Sequence, residues 1–166
     1  MSVYVVDSNV FIQAHRINYP LDIAHSFWNK FKQLACDGTI VSIDKVKNEI
    51  FKNEDDLKQW CSDNLPGDFF KDSAPVINQY SQVVKWAQSK ISQYLPNALQ
   101  EFLSADEADA FLIAYALADP GIRIVVTHEI SKPLGRNKIK IPDVCEELNV
   151  QYVGVMEMFR QLGVTF

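Results

Sequence analysis

The chain has 166 residues, 48% hydrophobic and 22% charged, with a formal net charge of −5. That suffices for one domain with a substantial core, and the acidic balance argues against a protein that coats nucleic acid through a broad basic face. No apolar run is long enough to span a bilayer, no basic-then-apolar leader opens the chain, and three scattered cysteines (Cys36, Cys61, Cys145) form no zinc pattern.

A reduced, cytoplasmic protein with no membrane partner is therefore expected. Val3 to Val6 reads as a strand buried on both faces. It stops at Asp7, where open α/β sheets hold their ligands, outside the strand carboxyl ends. Ser8 and Asn9 supply turn chemistry by which the chain leaves the sheet. Leu21, Ala24, Phe27, Trp28, Phe31, Leu34 and Ala35 then recur at helical spacing, and Asp37-Gly38 stops that helix. Ile40 to Ile43 is a second buried strand, after which Asp44 caps a helix to about Phe51. A polar helix covers Asp55 to Asn64, and Pro66-Gly67 turns the chain.

Pro75 suits the first turn of a long helix striped by Val76, Tyr80, Val83, Val84, Ala87 and Ile91, with Pro96 beyond its end. Ser104 and Glu107 form a capping-box pattern for a helix to about Ala118. Ile122 to Thr127 is a third strand, ending in Thr127-His128-Glu129. A basic loop, Ser131 to Lys138, leads to Pro142 at the start of a short helix. Val150 to Val153 makes a fourth strand, and a helix from about Met156 to Leu162 closes the chain. This alternation predicts an α/β fold with a mainly parallel sheet and helices on both sides. One domain spans 1–166, and the helix-rich stretch 53–103 is an elaboration of it.

Asp7 and Glu129 follow different predicted strands, so parallel strands bring both to one edge of the sheet. Asp109 interrupts an apolar face made by Ala105, Leu112, Ile113 and Ala116. A carboxylate buried there calls for a cation, a metal or strong hydrogen bonds. Asp106, one turn earlier, is either a favourable acid at a helix amino end or an outer metal ligand. Glu49, beside inward-facing Val46 and Ile50, is either a fourth acid or part of a solvated face. Four acids at one crevice repel unless cations sit among them, and oxygen-only ligands suit Mg²⁺ or Mn²⁺. Such ions activate water and neutralise charge during attack on a phosphodiester.

Lys132, Arg136, Lys138 and Lys140 cluster after Glu129, and Lys45 and Lys47 precede Glu49; these either meet phosphates or face solvent. Trp28, Trp60 and Trp86 read as core or partner contacts. His15 and His25 have no partner pattern, and no glycine-rich phosphate loop or G-x-S-x-G elbow is present.

The chain resembles the PIN-domain nucleases in Val5-Val6-Asp7-Ser8-Asn9, the helical Glu49, Ala108-Asp109-Ala110-Phe111-Leu112-Ile113-Ala114 and Val125-Val126-Thr127-His128-Glu129, in that family's order. Lys140-Ile141-Pro142-Asp143-Val144-Cys145 is similar to a branch found in prokaryotic toxin–antitoxin pairs. The resemblance implies a three-layer α/β/α sandwich whose acidic site binds Mg²⁺ or Mn²⁺ and hydrolyses RNA. Asp7, Glu49 and Asp109 would be the core ligands. Glu129 would be the fourth acid, where many relatives carry aspartate. Ser8, Asn9 and Thr127 would orient the ligands or a water, and His128 would neighbour the site rather than act as its base.

The partners implied are an RNA substrate, a cognate antitoxin protein and a second copy of the chain. Two other readings stay open. One is a non-catalytic module that keeps the fold and binds RNA or protein. The other is an aspartyl phosphatase with Asp7 as nucleophile, although Asn9 stands where haloacid-dehalogenase-like enzymes carry a second aspartate.

Overall fold

Val3–Val6 (β1) is flanked in parallel on both edges, by Ile40–Ile43 (β2) and Arg123–Val126 (β4), with Val5 opposite Val41 on one side and Val125 on the other. Tyr4, Val5 and Val6 are all buried, as apolar residues must be in a strand covered on both faces. Two-residue strands complete the edges: Phe70–Lys71 (β3) beside β2, and Tyr152–Val153 (β5) beside β4. The computed structural model describes residues 1–166, and its single sheet is all-parallel in the order β3-β2-β1-β4-β5. The chain runs outward from β1 through β2 to β3, then crosses to β4 and β5. That reversal opens a crevice at the carboxyl ends of β1 and β4, where ligands of open α/β sheets bind.

Helices cover both faces of the sheet. Aromatic rings fill one layer. Phe11 of Ser8–Gln13 (α1) meets Phe31 of His25–Cys36 (α2) edge-on at 5.1 Å, and Phe27 of α2 meets Phe159 of the last helix, Val155–Leu162, at 6.0 Å. The other layer centres on Ala108–Leu117, which packs on β2 and β4 and against Asp44–Phe51 (α3), Ile77–Gln88 (α5) and Ile141–Leu148 (α8). Nearly every side of this helix, α7, is covered, and Asp109 is the one charge in its sequence. No helix is long and apolar enough to cross a membrane.

The observed boundaries differ from the periodicity at several points. Ser8 and Asn9 do not turn the chain; they start α1 at once, with Asp7 at its amino-cap position, and a π-helical segment, Ala14–Asn18, follows. Only Val10, Phe11 and Ala14 are fully buried apolar residues in this stretch, with Ile12 partly buried beside them, too few to show a period. Leu21 and Ala24 precede α2, which ends at Cys36 ahead of Gly38, a glycine at φ +73°. Asp44 lies inside the first turn of α3, one residue past its cap position, and accepts only the neighbouring Lys45 amide at 2.9 Å, whereas Asp55 does cap Asp56–Asn64 (α4) by accepting from the Lys58 amide at 3.0 Å.

β3 and Pro96–Phe102 (α6) went unforeseen. Two residues cannot display an alternation, and Pro96 opens a helix rather than trailing one. Ile91 falls past α5 and is 72% exposed, outside the stripe assigned to it. Ser104 does not open α7. Its carbonyl accepts from the Glu107 amide at 3.1 Å, which closes a turn and leaves Ala105 and Asp106 exposed ahead of the helix. Ala105 is therefore no part of the face that carries Asp109.

Candidate active site

Asp7 is the first residue after β1, and its amide donates to the Val126 carbonyl at 3.0 Å, so the β1–β4 ladder runs into the acid and fixes its backbone. The side chain is fully buried. Oδ2 accepts from the Thr127 hydroxyl at 3.1 Å, while Oδ1 has only a 3.4 Å contact from Ser8 Oγ. Ser8 has one hydroxyl proton, and its shorter bond goes to Glu49 Oε2 at 2.6 Å. Asp7 Oδ1 thus keeps accepting capacity inside the protein.

The two glutamates do similar jobs. Glu49, from α3, accepts the Ala108 amide on Oε1 at 2.9 Å and so caps α7, the task expected of Ser104. Glu129 accepts the Ile141 amide on Oε2 at 2.7 Å and caps α8. Both place negative charge at a helix amino end, where the dipole favours it. Glu129 Oε1 is buried without an aligned hydrogen bond; its nearest cation is Lys138 Nζ, 3.3 Å away. Thr127 Oγ1 also accepts the Glu129 amide at 3.1 Å, which locks the β4 exit to both acids.

These groups feel one another. Burial, then the charges of Glu129 and Glu49, push the Asp7 carboxyl up to about 7 against the lowering hydrogen bond from Thr127. Asp109, in the first turn of α7, is driven well up by burial and by Asp7, Glu129 and Glu49, with Lys138 opposing. Acids from β1, α3, α7 and the loop after β4 therefore share one electrostatic environment. They do not form a closed cage: no three His, Cys, Asp or Glu side chains are gathered in metal-ligating geometry. The donor set still fits a hard cation, because every group is an oxygen and Glu129 Oε1 is buried without an aligned donor. Asp106 stands apart, exposed in the turn and not among the charges acting on Asp7 or Asp109.

An open cleft of about 380 Å³ adjoins the acids, lined by Asn9, Gln13, His128, Glu129, Ile130, Lys132, Lys138 and Lys140. Three of the four loop cations are thus brought together. Arg136 is exposed elsewhere on the loop, and its carbonyl accepts from the Leu95 amide. Lys45 and Lys47 lie over the rings of Phe111 and Phe51 instead of lining this cleft. His128 is half-buried, and burial pushes its imidazole below the ordinary value. Trp28 is buried with its indole donating to the Tyr19 carbonyl, and Trp60 packs against it at 4.7 Å. Trp86 packs near Tyr94 and Phe102 and donates to Glu147.

Two acids near the site escaped the sequence reading. Glu107 shares a small recess with Asp109 and Lys138, and burial, Glu49 and Glu101 raise its carboxyl. Its one signal was a place two residues before Asp109, and the capping-box pattern masked it. Asp143, buried, accepts from the Ser131 hydroxyl at 2.5 Å and the Lys132 amide at 3.1 Å, which pins the start of the basic loop. The helical elaboration braces the same loop: Gln93 Nε2 donates to the Pro133 and Gly135 carbonyls at 2.7 and 3.1 Å.

Residues 4–166 match the model of a family described as a domain of unknown function, DUF4411. No curated protein matches the chain, and no solved structure matches it.

Proposed function

The chain belongs to the DUF4411 family, and from its carboxylate cluster we propose that it is a PIN-like, metal-dependent endoribonuclease. The observation that carries this reading is the placement of Asp7, Glu49, Asp109 and Glu129, from β1, α3, α7 and the loop after β4, in one electrostatic environment, where burial first and then the charges of Glu129 and Glu49 raise the Asp7 carboxyl to about 7. Four ionised acids held this way beside the single Lys138 ammonium lack full compensation unless a further cation joins them. Asp7, Glu49, Asp109 and Glu129 would hold Mg²⁺ or Mn²⁺. When bound, such an ion supplies charge neutralisation and a nucleophilic water at neutral pH.

The chain's own groups do the positioning. Thr127 orients Asp7, Ser8 and the Ala108 amide orient Glu49, and the Ile141 amide orients Glu129. Lys132 and Lys140 offer charge for backbone phosphates along the cleft. RNA as substrate, a prokaryotic toxin–antitoxin pairing, a cognate antitoxin protein, a homodimer and a cytoplasmic setting all rest on the PIN-domain resemblance.

The test is cleavage of single-stranded RNA by the purified protein with Mn²⁺, with excess chelator, and with Asp109→Asn. Loss of cleavage in chelator, and a loss of roughly 100-fold or more in the variant, support the reading. RNA bound but left intact by the wild type would replace it with a non-catalytic binding module. A phosphoryl group trapped on Asp7 would replace it with a phosphatase. Growth arrest on expression of the wild type, but not of Asp109→Asn, tests the toxin assignment.

A further inference from the structure

The cation nearest the carboxylates belongs to the protein itself. Lys138 Nζ lies 3.3 Å from Glu129 Oε1, and the two side chains are unequally placed, 43% and 6% exposed. Glu129 is held from its other oxygen by the Ile141 amide, whereas Oε1 has no aligned donor. The ammonium therefore meets Oε1 chiefly as a charge. Lys138 also borders two spaces, the recess containing Asp109 and Glu107 and the open cleft containing Lys132 and Lys140. A compact ammonium on a flexible, partly exposed stem is easily displaced by a stronger cation. The loop that carries it is braced by Gln93, Leu95 and Asp143, so displacement needs only the side chain to move.

We propose that Lys138 is the built-in counter-cation of the cluster, offsetting the carboxylates when no divalent ion is bound and competing with such an ion for Glu129. The inference rests on the metal-dependent reading above and concerns how that site is regulated. Even in water-like surroundings a unit charge about 5 Å from a divalent ion weakens ion binding about tenfold, and the burial of Asp7 and Glu129 makes that a lower bound.

Calorimetric titration of Mn²⁺ alone, at pH 8 and without RNA, tests the proposal on the wild type and on Lys138→Met, Lys138→Arg, Lys132→Met and Lys140→Met. Lys138→Met is expected to bind Mn²⁺ at least about tenfold more tightly. The charge-keeping Lys138→Arg should match the wild type, and the two loop controls, the exposed Lys132 and the half-buried Lys140, should change by no more than about two- to threefold. In chelator, Lys138→Met should also melt below the wild type, whereas Lys132→Met should not. Wild-type binding with Lys138→Met equal or weaker overturns the role of Lys138 alone. No Mn²⁺ binding by any of the proteins overturns both this proposal and the metal-dependent reading.

Discussion

Replacing Asp7 by Asn should stabilise the metal-free protein by an amount that grows as pH rises from about 4 and is complete above about pH 7. Asp7 is fully buried and its carboxyl is pushed to about 7, whereas an unfolded aspartate titrates near ~3.9. Between those two values the folded chain keeps a proton that the unfolded chain releases. Stability therefore falls as pH rises through that window, and the penalty is complete above about pH 7. Three units at ~1.36 kcal/mol each set a ceiling of about 4 kcal/mol, and sharing among four acids reduces it to on the order of 2–4 kcal/mol.

Asn preserves the shape and an acceptor for the Thr127 hydroxyl while it removes the charge. At pH 8 in chelator the variant should melt roughly 5–10 °C above the wild type, given the size of this chain. Near pH 4 the two should coincide. Thermal denaturation followed by circular dichroism from pH 4 to 9 reads both arms. A variant no more stable than the wild type at pH 8, or a gap that ignores pH, would refute the reasoning.

Other expectations follow from single contacts. Ser8→Ala removes the 2.6 Å bond to Glu49 Oε2 and should weaken Mn²⁺ binding roughly 10–100-fold by calorimetry; unchanged affinity would mean that Glu49 needs no such support. Gln93→Ala unties the loop at Pro133 and Gly135, so KM for RNA should rise with kcat nearly constant; a change confined to kcat would contradict a positioning role. Arg123→Met deletes a bond to the Tyr115 carbonyl and a guanidinium 3.8 Å from the Tyr115 ring centre. It should cost about 1–2 kcal/mol in urea denaturation, and no loss would show the contact to be inert.

The parallel sheet was readable because β1, β2 and β4 are short, mostly apolar and mostly buried runs, interrupted only by Ser42 in β2 and by Arg123 at the start of β4, a pattern that survives without any partner information. Asp7 and Glu129 were readable for the same reason, since each sits just past a strand. Shorter pieces carried no period. β3 has two residues, and α1 has six, so neither could announce itself. The capping box failed because tertiary structure overrode it: Glu49, distant in sequence, caps α7, and Ser104 is left in a turn. Asp106 lost its helical place by the same shift. The tie between Lys138 and Glu129 had no local signature either, because a loop that folds back on its own acid looks in sequence like a solvated basic stretch.

The most direct measurement is a crystal of the protein soaked in Mn²⁺, with data collected at the manganese edge. An anomalous peak bounded by Asp7 and Asp109, within bonding distance of their carboxylate oxygens, is the expected result. Manganese peaks at surface carboxylates such as Asp106, with none between Asp7 and Asp109, would contradict the claim that these buried acids hold the ion.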